Sequence, residues 1–236
     1  MASADYMKDI LRRVQDLPKV DQQVVLSHLR RLHPIHEIEA QWGVPAEVIL
    51  EAISRSSDLS QRGIRGLIAE AYFETCVLPT LEQWEDVSPP PGNVAYDFAI
   101  RKGERQVRIQ VKTQRRKAGR PMTANEGYRR FPSDLFVVET QKTRSGTSSD
   151  GGDTRPYRFD DFDILAVNME PATGKWEQFR YTLTRWLVPR EDDTTQMLKF
   201  QPVALTPNED WTDSLGTCLA WLESGVEKTI RHQRRA

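Results

Sequence analysis

Two neighbouring stretches with period-two patterning constrain this chain most. In VAYDFAI (94–100), Val94, Tyr96, Phe98 and Ile100 alternate with Ala95, Asp97 and Ala99. In VRIQVKTQ (107–114), Val107, Ile109, Val111 and Thr113 alternate with Arg108, Gln110, Lys112 and Gln114. Alternation of this kind belongs to a strand with one face on a core. The five residues KGERQ, with Gly103 in the turn, join the two stretches as a hairpin. Aligning the polar faces brings Asp97, Gln110 and Lys112 together over a hydrophobic floor.

The hairpin sits in a chain that reads as mixed α/β beyond a helical N-terminal region. Residues 1–57 carry helical apolar spacing at Ile10, Leu11, Val14 and Leu17, ended by Pro18, and again at Val20, Val24, Val25, Leu29 and Leu32. IHEIEAQWGVPAEVILEAISR then has the outline of a helix–turn–helix. Ile38 and Trp42 lie inside its first helix, Gly43 at the turn, and Ile49 and Ala52 on the buried face of its second. Glu39 stands where such motifs carry a small residue. A DNA-reading element, a plain helical subdomain and a dimerisation arm all fit residues 1–57. A helix is predicted over 61–78, capped by Ser60, with Ile64, Leu67, Ile68, Ala71, Thr75 and Leu78 as its apolar stripe and Gly63 and Gly66 allowing close backbone approach. Further strands are predicted at 135–140, 162–169 and 199–204, an exposed loop at 145–153 (SGTSSDGGD), and a helix at about 210–223, capped by Asn208 and ended by Gly225. The expected organisation is a helical subdomain, 1–57, and a second domain, 58–236.

Hydrophobic residues make up 38% and charged residues 28% of the 236, and no apolar run reaches the length of a membrane span. The N-terminus lacks the apolar segment of a secretory signal, and Cys76 and Cys218 lie far apart without metal-site spacing, so a cytoplasmic protein with free thiols is expected. The net charge of -1 excludes a globally basic nucleic-acid binder. Locally, residues 101–120 hold nine Lys or Arg against one acid, Glu104, and the tail KTIRHQRRA is basic too. Acids gather elsewhere, at Asp160, Asp161 and Asp163 and at Glu191, Asp192 and Asp193. Basic clusters in a neutral chain suit a polyanion bound at one place; a solvated charged face is the alternative.

The aligned face has the residue types that phosphodiester hydrolysis needs. A hard cation such as Mg2+ takes oxygen ligands, which Asp97 and the Gln110 carbonyl can supply. A lysine two residues on can orient a water or stabilise developing negative charge. Asp97, twelve intervening residues and Gln110-Val111-Lys112 resemble the motif of the PD-(D/E)xK nuclease superfamily, which includes restriction enzymes, junction resolvases and some homing endonucleases. The resemblance covers roughly 60–170. It implies a restriction-endonuclease-like mixed β-sheet flanked by helices, built as helix, three strands, helix and strand, with FDILAVN as a core strand. It also implies a glutamate on the first helix at the metal site: Glu70 matches, with Glu74 one turn later as the other candidate. Two positions depart from the pattern: Tyr96 replaces the common proline, and Gln110 replaces the usual acid.

The resemblance implies a Mg2+-dependent DNA endonuclease, Mn2+ substituting, of the type II restriction kind, acting on double-stranded DNA as a homodimer. Its expected catalytic residues are Asp97, Gln110, Lys112 and Glu70, with Asp97, Gln110 and Glu70 on the metal. Arg108, Arg115, Arg116, Lys117 and Arg120 are the expected DNA contacts, and Arg129, Arg130, Lys142, Arg144 and Arg155 a looser second set. Two other functions stay open. One is a nuclease-fold DNA-binding protein with impaired catalysis, motivated by Gln110. The other is a helix–turn–helix regulator, motivated by residues 35–55.

Overall fold

The computed structural model describes residues 4–90, 94–141 and 156–230. They fall into two compact units, 1–61 and 62–236.

The first unit is helical: α1 (Ala4–Gln15), α2 (Lys19–Leu32), α3 (Glu37–Trp42) and α4 (Ala46–Ser54). Pro18 separates α1 from α2, and its fixed φ of −54° starts α2 without a side-chain cap. Gly43, at φ 67°, closes α3 in the left-handed conformation and turns the chain into α4. The carboxylate of Glu39 accepts from the backbone N–H groups of Ile35 and His36 at the start of α3, and from that of Ala46 at the start of α4. The acid that looks misplaced in the sequence therefore ties the two helices together. These bonds, led by Ala46, hold its carboxyl below the usual range. Arg30 and Glu47 pair within the same unit. Ile38 and Trp42 both lie within α3, Ile38 half-buried and Trp42 59% exposed; in α4 Ile49 and Ile53 are half-buried and Ala52 is exposed, so the predicted inward face holds at Ile49 and not at Ala52.

Helix α5 (Asp58–Tyr72) starts at the end of the first unit and, in the second, runs into a π-helical turn, Phe73–Val77, and a 3-10 turn, Leu78–Thr80. The helix begins at Asp58 rather than after Ser60. Its buried positions are Ala69, Phe73 and Leu78, while Leu67 and Ile68 of the predicted stripe are exposed. The selecting contact is aromatic: the Phe73 ring lies 5.1 Å from Phe98 and 5.7 Å from Phe179, and that anchor sets the rotation of the helix. Gly63 and Gly66 allow no close approach, since a Cβ at either would meet nothing within 4 Å.

The strands are β1 (Glu85–Asp86), β2 (Phe98–Lys102), β3 (Arg105–Thr113), β4 (Arg116–Lys117), β5 (Arg120–Pro121), β6 (Phe136–Glu139), β7 (Ile164–Asn168), β8 (Phe179–Leu183) and β9 (Phe200–Val203). A five-stranded sheet has the order β1-β2-β3-β7-β8, with β3 and β7 parallel and the other pairs antiparallel. One face carries Phe98, Ile100, Val107, Ile109, Val111, Ile164, Tyr181 and Leu183, all buried. Three shorter helices complete the unit: α6 (Ala124–Gly127), α7 (Glu170–Thr173) and α8 (Leu215–Ser224). Leu215, Cys218 and Leu219 of α8 join the same core as Phe73 of the α5 extension. This is the mixed β-sheet flanked by helices that the sequence predicts.

Other particulars differ from expectation. The helix expected between the third strand and the last is the one-turn α6, pressed so tightly on β6 and β9 that a Cβ at Gly127 would stand 3.1 Å from Val137. Residues 94–97 precede β2 rather than forming part of it. Ser214, not Asn208, caps α8; Asn208 instead accepts from the N–H groups of Asp210 and Trp211 in a turn. Strand β8 is an addition to the predicted set, although Phe179, Tyr181 and Leu183 alternate around Arg180 and Thr182. The predicted 145–153 loop lies outside the described residues, as do Lys142, Arg144, Arg155 and the tail beyond Ile230. Among the described residues no helix is long and apolar enough to cross a membrane.

Candidate active site

The hairpin is built as the alternation requires. Phe98 pairs with Ile109 at the end of the ladder, and Asp97, just before β2, donates its N–H to the Ile109 carbonyl at 3.1 Å. That bond holds Asp97 against the end of β3, where its side chain meets that of Gln110. The Gln110 Nε2 donates to Asp97 Oδ2 and also to the Val111 carbonyl at 3.0 Å, and the Val111 N–H donates to Asp97 Oδ2 at 2.8 Å. Gln110 is 2% exposed.

Helix α5 brings Glu70 to this end of the sheet. Its carboxyl is pushed up to about 7, first by burial, then by the negative charge of Asp97, with Lys112 acting the other way. Asp97 is raised too, by burial, with Lys112 and the Val111 N–H opposing. Two acids that burial disfavours as anions, Glu70 being raised further by the charge of Asp97, form a place where a cation would relieve the cost. Glu74, the other candidate, is exposed.

Among the described residues no group of three or more His, Cys, Asp and Glu side chains is arranged to hold a metal ion. A divalent cation here would depend on Glu70, Asp97 and neutral oxygens. The Gln110 amide nitrogen lies within reach of both Asp97 Oδ2 and the Val111 carbonyl, so that spot already gathers two oxygen acceptors. With its N–H groups turned to them, the Gln110 carbonyl is not positioned as the third oxygen ligand the sequence suggests. Turning the amide over would face its oxygen toward two other oxygens, which is repulsive unless a cation sits between them. The donor set therefore fits a hard cation once the amide turns.

Lys112, next on the same face, is half-buried and stands within electrostatic range of both acids. Its Nζ lies 5.3 Å from the ring centre of Tyr157. Gln114, one step further, is 2% exposed and sits where the chain leaves β7 for β6: its N–H donates to Asn168 and the next N–H, of Arg115, to Val137.

The expected DNA-contacting cations are individually paired. Arg108 binds Asp163 through its backbone N–H, Nε and Nη2, and the Asp160 carbonyl through Nη1. Arg115 pairs with Glu139, and Arg116 with Glu170, which Arg65 also contacts. Lys117 and Arg120 share Glu126. Arg130, of the looser set, pairs with Glu191. Basic and acidic clusters that are separate in the sequence thus meet in the fold. Four of the cations, Arg115 to Arg120, belong to a β4–β5 hairpin and its lead-in, whose two-residue turn holds Ala118 at φ 49° and Gly119 at φ 78°. Positive φ at both positions is the primed turn that suits the twist of a ribbon.

Sequence reasoning did not find Tyr157, because no motif spacing links it to Lys112; nor did it find Glu170 and Glu126 as partners of the basic run.

No protein-family profile matches the chain, and no curated protein matches it. A solved structure does. The bacterial homing endonuclease I-Ssp6803I is similar to it at 20% identity and a TM-score of 0.40, over 69% of this chain and 94% of that one. Likeness at that level carries no argument about activity, which rests on the geometry above.

Proposed function

We propose that the chain is a metal-dependent endonuclease that hydrolyses phosphodiester bonds of double-stranded DNA, with a PD-(D/E)xK-type site. The observation that carries this reading is the convergence of Glu70, Asp97, Gln110 and Lys112 at one end of the β2–β3 hairpin, with the Glu70 carboxyl pushed up to about 7. Glu70 and Asp97 would hold Mg2+ or Mn2+, with the Gln110 carbonyl once the amide has turned. When bound, the cation supplies charge for a phosphate oxygen and a water of lowered pKa. Lys112 offers N–H donors to an attacking water or to a non-bridging oxygen that gains charge. Burial of Asp97 and Gln110 limits competing water at the same spot.

DNA phosphates would meet the β4–β5 ribbon. Lys117 and Arg120 are each 57% exposed in side chain, and exposed ion pairs contribute only about 0–1 kcal/mol, so a phosphate can displace Glu126. Arg108, with four hydrogen bonds to the 160–163 turn, serves that clasp first. A site of this kind cuts one strand, so a double-strand break calls for a homodimer, in the manner of a type II restriction enzyme.

A second reading, a nuclease-fold protein that binds DNA without cutting, is favoured by the Gln110 amide facing Asp97 through its N–H groups. In a third, a regulator, DNA would be held by α3 and α4 without metal.

Plasmid nicking under Mg2+ or Mn2+, with an EDTA control, separates these readings. The wild type should nick only with a divalent cation. Asp97→Ala and Lys112→Ala should each lower the nicking rate about 100-fold to 1000-fold while staying folded. Gln110→Glu adds a charged ligand and should reach half-maximal nicking at lower Mg2+ than wild type, whereas Gln110→Leu should need more or stop. DNA binding without nicking under either cation would leave the second reading standing in place of the first. Superimposable Mg2+ curves for all three residues at 110 would put Gln110 outside the site.

A further inference from the structure

Tyr157 is held where few tyrosines are. It is 4% exposed, its ring meets Phe162 edge-on at 5.2 Å and 86°, and its carbonyl accepts from the Met197 N–H at 2.9 Å. Bridges from Pro156 to Gln141 and from Arg158 to Gln196 fix the backbone on either side. A side chain so gripped on ring and backbone has little freedom, so whatever its hydroxyl touches is held as well. Beside it stands the Lys112 ammonium, its Nζ 5.3 Å from the ring centre. An ammonium at that distance from the ring centre can reach the phenol oxygen from beyond the ring edge, and loss of the hydroxyl separates that contact from one with the ring face.

Lysine carries a compact charge on four rotatable methylenes, and freezing them is costly. Lys112 has three N–H donors, of which the hydroxyl would take one. The other two remain for Asp97, Glu70 or a phosphate oxygen. We propose that Tyr157 is the positioning residue of the Lys112 ammonium, fixing it against the acids by accepting one of its N–H groups. This rests on the nuclease reading for its catalytic consequence, though not for the contact itself. The lysine would then be aimed before substrate arrives, and the preorganisation would come from an aromatic side chain outside the hairpin motif.

Tyr157→Phe keeps the ring and its packing on Phe162 and removes only the acceptor. Two measurements on the full chain test the idea. The first is the 15N order parameter of lysine Nζ groups, with Lys112→Arg used for assignment. Wild-type Lys112 should be more ordered than Lys102, an exposed β2 lysine, and should fall to the level of Lys102 in Tyr157→Phe. The second is plasmid nicking, where kcat should drop by about 10-fold to 100-fold, the range for removing a partner that orients a functional group, with KM for DNA and the Mg2+ midpoint unchanged. A Lys112 Nζ as mobile as that of Lys102 in the wild type overturns the proposal, and so does an unchanged order parameter in the variant. A lowered order parameter with wild-type kcat overturns the catalytic part. If the wild type nicks nothing, the nuclease reading fails alone, and the order parameters still decide whether Tyr157 holds the lysine.

Discussion

Residues 1–61 and 62–236 are built on opposite terms. None of the described side chains in the first unit is buried, and fifteen of the twenty large apolar side chains exposed among the described residues lie there. Among the described residues the second unit holds every buried hydrophobic side chain, with Phe73, Ile109, Ile164, Leu165 and Trp211 within 1% of complete burial. Its helices and sheet share a core, whereas α1 to α4 rely on caps and surface pairs such as those of Glu39 and of Asp9 with Arg12 and Arg13. Rigidity therefore belongs to the unit that carries the charged site. A catalytic group must be held within fractions of an ångström, and buried packing does that where exposed ion pairs do not.

The largest expected effect tests that contrast directly. Phe73→Ala should destabilise the second unit by about 3–5 kcal/mol, as a buried aromatic truncated in a packed core does. Leu29→Ala, at a position 49% exposed, should cost less than about 1 kcal/mol. Urea denaturation of both variants measures the difference. Comparable costs would mean that the helical unit has a core of its own.

The two units should also answer pH with opposite signs. Glu70 is raised from 4.5 to about 7, so the folded state binds its proton more tightly than the unfolded state. Its contribution is fully present below about pH 4.5 and is lost as pH rises through 7. Glu39 is lowered, so its contribution is present above 4.5 and is lost as pH falls through its folded value. Hydrogen exchange, corrected for intrinsic rates, should show peptides from 62–80 and 94–113 losing protection between about pH 5.5 and 7.5. Peptides from 35–48 should lose it only below about 4.5. Glu70→Gln should flatten the first trend, and Mg2+ should restore protection at the upper end of that range. Trends of the same sign in both units would remove the argument from the Glu70 environment.

The smallest effect tests which unit would meet DNA under the proposed function. Replacing Arg115, Arg116 and Lys117 by Gln should lower the log–log salt slope of binding by about 0.9 for each phosphate no longer neutralised. Replacing Arg12 and Arg13 should leave it alone. A slope that falls only with the second set would assign DNA binding to the helical unit and favour the regulator reading.

What the sequence reveals follows from how local each interaction is. The β2–β3 hairpin and its aligned Asp97 and Gln110 were legible because alternation and a short turn fix the register within twenty residues. The fold class and strands β6, β7 and β9 were legible from apolar runs. Helix α5 was legible as a helix but not in its rotation, since Phe73 is chosen by Phe98 and Phe179, far along the chain. Strand β8 carried the same alternation as the hairpin, and a buried Arg180 disguised it as a surface segment. The pairing of Arg116 with Glu170 and of Lys112 with Tyr157 spans 54 and 45 residues, and no pattern within one element encodes such contacts.

The amide of Gln110 fills its place between Asp97 and the Val111 carbonyl with a group that has the outline of a carboxylate. Glutamine and glutamate codons differ only in their first base. A single nucleotide change can therefore add or remove a unit of charge here with almost no change in side-chain outline. Under the proposed function, a lineage carrying this gene would move between a sparing and an avid cation site in one heritable step, and back again, the glutamate form leaning on its cation to offset the repulsion from Asp97 and the Val111 carbonyl.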